Sequence, residues 1–187
     1  MTLSSLKIFW SNPWLRWGLV AIIQLIVIAL PLSERLSVQM SGREATLAVR
    51  PVDPRDLLRG DYVIINLAIS EIPSEIAASL GTVKRNETIY VGLTPDTSGV
   101  ARVSSVSRSR DGAGELAIKG TVFSRSNDAL RMNYGIDAFY VAEGTGKVIE
   151  QMDTSRVQLV VAISADGRSL PLRLLVDGKP FKSDDAF

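Results

Sequence analysis

The first feature of the chain is a stretch without any polar rhythm. Residues 17–33, WGLVAIIQLIVIALPLS, carry no charge over 17 positions, with Gln24 the one strongly polar side chain among the apolar ones. At about 1.5 Å per residue, a helix of this length nearly crosses a hydrocarbon layer about 30 Å thick, and Leu15 with a snorkelling Arg16 extends it. Trp10, Trp14 and Trp17 are all the tryptophans of the chain and stand together at its leading edge. Amphipathic rings favour the headgroup level of a bilayer. Lys7 and Arg16 lie on the N-terminal side, and no acid precedes Glu34. The excess of positive charge predicts an N-terminus in the cytoplasm. The run ends in Ala29-Leu30-Pro31-Leu32-Ser33, which lacks the small-x-small pattern of a cleavage site, so an uncleaved signal anchor is favoured over a removed signal peptide.

Beyond this run the period changes. Ser33–Ser41 is polar with Leu36, Val38 and Met40 interleaved, either a helix continuation or a stalk. Glu44–Val52, Asp61–Ser70, Glu87–Leu93, Val100–Ser107 and Glu115–Phe123 read as strands, rich in alternating or β-branched residues. Leu130–Val141 contains a break at Gly135 followed by an aromatic strand. Arg156–Ile163 and Ser169–Val176 are two apolar strands joined by the turn residues Ala165-Asp166-Gly167. Pro73–Leu80, closed by Gly81, suits a short helix, and Gly144–Gln151 a second. About eight strands against one or two short helices predict a mostly-β domain, a sandwich or partly closed barrel. The expected organisation is a cytoplasmic N-terminus over 1–14, a transmembrane signal anchor over 15–32, a stalk over 33–43 and an exported β-rich domain over 44–187.

Composition narrows the chemistry. The chain has neither histidine nor cysteine, which removes disulfides, thiolate or imidazole metal sites, Cys nucleophiles and any His-based triad. No cofactor or metal is expected. The part after Ser33 has 19 basic and 20 acidic residues, so it offers no basic excess for nucleic acid. Its length of 154 residues supports a core without staples. Any chemistry must rest on carboxylates, Lys, Ser/Thr, Tyr or an oxygen-ligated ion.

The densest polar cluster is Asp53-Pro54-Arg55-Asp56 with Arg59-Gly60-Asp61-Tyr62. Asp before Pro starts turns, Gly60 can supply a positive φ, and Asp61 can pair with Arg55 or Arg59 at a strand start. The block therefore reads first as structural and second as a polar docking surface. Three aspartates could hold Ca²⁺ or Mg²⁺, but the adjacent guanidiniums oppose a cation. Pro51–Leu67, PVDPRDLLRGDYVIINL, together with Tyr134-Gly135-Ile136-Asp137-Ala138-Phe139-Tyr140-Val141-Ala142-Glu143-Gly144, resembles the GDYXXLXY-motif family of small bacterial membrane-anchored proteins. Gly60, Asp61 and Tyr62 match the motif. Its Leu is Ile65 here and its final Tyr is Leu67. The resemblance implies an anchored, exported domain in the bacterial inner membrane, periplasmic or otherwise extracytoplasmic, acting with a multi-pass membrane protein. It implies no activity. The second block is expected to lie beside the first, with Tyr134, Phe139 and Tyr140 as core or rim packing and Glu143 as a loop acid.

Other matches fail on their neighbours. Arg59-Gly60-Asp61 opens a predicted strand and is a chance tripeptide. Gly144-Thr145-Gly146-Lys147 imitates the end of a phosphate-binding loop, but Val141 and Val148 stand where the pattern needs Gly and Ser/Thr. A Ser/Lys peptidase would need its Ser three residues before Pro54, and Pro51 stands there. The expected function is a non-enzymatic accessory or interaction protein for an inner-membrane partner. The alternatives are a module binding a small ligand or envelope component, or a carboxylate- or Ser/Lys-based hydrolase.

Overall fold

The computed structural model describes residues 13–50, 62–64, 66–136, 138–140, 153 and 156–181. They divide into two units, an N-terminal one ending at Ser37 and a second from Val38 onward. The helix α1, Pro13–Ser41, spans the division. It runs through the whole of Ser33–Ser41, so the helical alternative for that segment is the one realised. Its apolar side chains are exposed on every face, from Trp14 and Trp17 through Ile22, Ile23, Leu25 and Ile28 to Leu32. It is long and apolar enough to span a membrane.

The second unit is mostly β. The strands are β1 (Arg43–Arg50), β2 (Tyr62–Ile64), β3 (Asn66–Leu67), β4 (Glu71–Pro73), β5 (Thr88–Pro95), β6 (Val100–Ser107), β7 (Ala117–Arg125), β8 (Ala129–Asn133), β9 (Ala138–Tyr140), β10 (Val157–Ile163), β11 (Ser169–Val176) and β12 (Lys179–Pro180). Among the described residues a short helix, α2 (Ser74–Ala77), runs on into a 3-10 turn over Ala78–Leu80. Gly81 ends it at φ +62° with its N–H on the Ala78 carbonyl. The main sheet has the order β12-β11-β10-β1-β6-β5-β7-β8-β4, with β3 also paired to β1. β3 and β4 are separated by the three-residue 3-10 turn Ala68–Ser70 alone. Three residues reach only about 10 Å. The strand next to β1 and the strand next to β8 are therefore held close, and the sheet curls. No ladder joins β4 to β3 among the described residues, so the sheet is not closed.

Two expectations need correction. Asp61–Ser70 is not one strand. Within it β2 pairs with β9, β3 pairs with β1, and Ala68–Ser70 is a 3-10 turn. The β-branched run is cut because its parts serve different partners, and tertiary pairing overrides local propensity. Of the sandwich or partly closed barrel expected, the mostly-β character holds, and it is the two facing sheets of a sandwich that are replaced, among the described residues, by one non-closed sheet with a separate β2–β9 ribbon. β4, β12 and a 3-10 turn over Asp111–Ala113 are additional elements. The expected helix over Gly144–Gln151 lies outside the described residues.

The core follows the two-residue period of the strands. Leu47, Ile89, Val91, Ile118, Leu130, Leu159, Val161 and Ile163 are fully buried within one cluster. β10 is unusual in burying both faces, with Val160 and Ala162 on the side away from that cluster. Register explains their cover. Glu44 stands opposite Ala162 on one neighbouring strand and Arg173 opposite Val160 on the other. Arg173 Nη1 and Nη2 donate to Glu44 Oε1 and Oε2 at 3.1 and 2.6 Å, a two-pronged pair bridging the small side chains of β10. Arg110 fastens two distant loops by donating to the carbonyls of Ala165, Gly114 and Glu115 at 2.9, 2.7 and 2.8 Å.

The β5–β6 turn is built on a carboxylate. Asp96 accepts from the Ser98 hydroxyl, from Arg102 Nε at 2.8 Å, and from the backbone N–H groups of Ser98 and Val100. These donors, the Ser98 hydroxyl foremost, hold its pKa far below the usual aspartate range. Glu87 is lowered by the Lys84 backbone N–H and then by Arg108, and Asp177 by Arg156. A carboxylate depressed in the folded state stabilises the fold fully above its unfolded pKa of about 4, and that stabilisation is lost as pH falls through the folded value. Melting temperature is therefore expected to hold near neutrality and to decline below about pH 4. Asp96→Asn should make the decline shallower, as read by circular dichroism melts across pH.

Candidate functional site

The two sequence blocks meet. β2 and β9 pair antiparallel with Tyr62 opposite Tyr140, Val63 opposite Phe139 and Ile64 opposite Ala138. One residue separates Ile64 from Asn66, and one separates Ile136 from Ala138. Both strands of the ribbon thus spring from residues that line one cleft.

That cleft has a volume of about 420 Å³. Its polar wall comes from four strands. Arg50 closes β1 opposite Asn66 of β3, and Glu71 opens β4 opposite Arg131 of β8. Arg50 Nη1 donates to Glu71 Oε2. Arg131 Nη2 approaches Glu71 Oε1 only to 3.8 Å, beyond hydrogen-bond reach. Among the described residues the two guanidiniums share one carboxylate, and one positive charge is left over. Leu67, Phe123, Met132 and Ile136 supply apolar lining. Leu67 is buried and paired with Val49, so the last position of the motif points into the core in this chain.

Tyr134 lines the cleft and ties β8 to the turn between β3 and β4. Its hydroxyl donates to the Ile69 carbonyl at 2.8 Å, in the turn that links β3 to β4. Burial raises the hydroxyl pKa well above the usual tyrosine range, so it stays protonated as a donor. The ring passes over Gly120 of β7, where a Cβ would lie 2.7 Å from its Cδ1. Gly135 follows at φ +70°, and Asn133 Oδ1 accepts its N–H at 2.7 Å, which ends β8 and turns the chain toward β9. Tyr134→Phe should cost about 1 kcal/mol by leaving the buried Ile69 carbonyl without its donor. Urea denaturation checks this, with a lower midpoint at unchanged slope as the expected result.

Of the residues singled out by sequence, the structure places Tyr62 in the ribbon, Tyr134 at the cleft and Gly135 in the turn between β8 and β9. Asp53, Pro54, Arg55, Asp56, Arg59, Gly60, Asp61 and Glu143 lie outside the described residues. Arg50, Asn66, Glu71 and Arg131 were not legible as a group, because only strand register brings them together. Among the described residues no group of three or more Asp or Glu is placed to hold a metal ion.

An apolar N-terminal helix followed by a mostly-β domain, with a signature ribbon rooted at a mixed cleft, defines the class of protein. The chain belongs to the GDYXXLXY family, whose model, described as GDYXXLXY protein, matches residues 24–174. No curated protein and no solved structure matches the chain.

Proposed function

We propose that this is a single-pass protein of the bacterial inner membrane, with its N-terminus in the cytoplasm and its β domain on the extracytoplasmic side. In this reading it is a non-enzymatic accessory of a multi-pass membrane partner. The observation that carries the reading is α1, whose apolar side chains are exposed on all faces through the charge-free stretch 17–33. A helix apolar all round needs an apolar surrounding. The positive charges before the stretch support the orientation. The β2–β9 ribbon joins the two signature blocks and is the favoured contact surface.

A topology reporter tests the placement. Alkaline phosphatase fused after Phe187 should be active and a cytoplasm-dependent fluorescent protein dark; the reverse pattern would overturn the orientation. Affinity purification of the full-length chain in mild detergent tests the role. One stoichiometric multi-pass partner is expected, lost in folded Asp61→Ala and Tyr62→Ala variants. A monodisperse protein without a partner would reject the accessory role.

A further inference from the structure

We infer that the cleft at the root of the ribbon is a binding site for an organic monocarboxylate attached to an apolar body, the chemistry of an acylated apolar amino acid or of a peptide's C-terminal residue. The inference does not depend on the membrane reading. Three observations carry it. The first is charge. Among the described residues, Arg50, Glu71 and Arg131 are the charged side chains of the lining, and they sum to one positive charge. A single excess guanidinium suits a monoanion better than a phosphate dianion.

The second is donor capacity. Glu71 is engaged by Arg50, while Arg131 stands 3.8 Å from it with its side chain 65% exposed. The planar fork of Arg131 is thus open toward the cleft for a two-pronged carboxylate contact. The third is the remaining lining. Phe123, Met132 and Ile136 offer an apolar bed, while Asn66 and Ser70 offer neutral polar groups suited to an amide. The volume of about 420 Å³ falls within the size of small-ligand sites.

The probe is N-acetyl-L-phenylalanine, added to the full-length chain in lipid nanodiscs and read by calorimetry and saturation-transfer NMR. N-acetyl-L-phenylalaninamide, which lacks the charge, is expected to bind at least about tenfold more weakly. Arg131→Gln should weaken the acid by a similar factor and leave the amide unchanged. Phe123→Ala should weaken both. A pentapeptide ending in Phe with a free carboxylate separates the two sources: tighter binding than the acetylated residue assigns the site to chain termini, and equal binding to small acids. No binding of the acid up to about 10 mM, or equal affinity for acid and amide, would overturn the inference, and the latter comparison needs no variant. Equal affinity of Arg131→Gln and the unsubstituted chain would overturn it as well, with the melting temperature of the variant confirming that it is folded.

Discussion

Gly92→Ala is expected to destabilise the β domain by about 3–4 kcal/mol, the upper end of overpacking plus one lost hydrogen bond. Gly92 lies in β5 where the pairing with β6 shifts register between Gly92 and Leu93. The 3-10 turn Asp111–Ala113 crosses it so closely that a Cβ would overlap the Ala113 carbonyl oxygen and the Ser105 hydroxyl. Ala113 is itself buried, and Ser105 Oγ donates to its carbonyl at 3.1 Å. The obstacle is backbone, which no rotamer change can move aside. Thermal melts should show a drop of roughly 6–16 °C. Ser105→Ala in the same chain should restore little of it, because the carbonyl stays. A Gly92→Ala variant melting with the unsubstituted chain would show that the turn does not press on β5.

How much of this architecture is legible in the sequence depends on whether a segment meets one partner or several. Val100–Ser107 and Ser169–Val176 coincide with β6 and β11, since each stays within one sheet along its length. The break at Gly135 is equally legible, because a glycine after Asn133-Tyr134 and between two strand-like runs marks a turn whatever surrounds it. Asp61–Ser70 is the opposite case. Its β-branched composition is right for strand, yet β2 and β3 leave for different neighbours and the last three residues coil into a turn. Local propensity carries no information about that division. The same holds for β4 and β12, three and two residues long, whose strand character comes from β8 and β11 beside them.

The cleft shows the limit more sharply. Tyr134 and Gly135 could be singled out because they sit in a recognisable block. Arg50, Glu71 and Arg131 could not, since nothing in their spacing of 21 and 60 positions suggests a shared carboxylate. Their meeting depends on the register of β4 on β8 and on the short turn that carries the chain from β3 to β4. A charged cluster drawn from three separate strands is invisible until the sheet curls. The signature block and the cleft are nevertheless one neighbourhood, because the ribbon continues directly into residues of the cleft wall.

That neighbourhood hangs on the second close approach, and Gly120→Ala is expected to cost about 2–4 kcal/mol. The added Cβ would lie 2.7 and 2.9 Å from Cδ1 and Cε1 of Tyr134 and 3.1 Å from the Asn133 carbonyl oxygen. Here the main obstacle is a side chain, which can swing away. Swinging breaks its hydroxyl bond to the Ile69 carbonyl and frees the turn between β3 and β4. The two sites should therefore be strongly coupled in a double-mutant cycle. In a Tyr134→Ala background the ring is gone, and Gly120→Ala should be nearly neutral, since alanine suits a strand interior better than glycine. The same substitution should also weaken N-acetyl-L-phenylalanine binding, because the displaced ring lines the cleft. An equal cost of Gly120→Ala with and without the tyrosine ring would place Tyr134 elsewhere and detach the motif from the curl of the sheet.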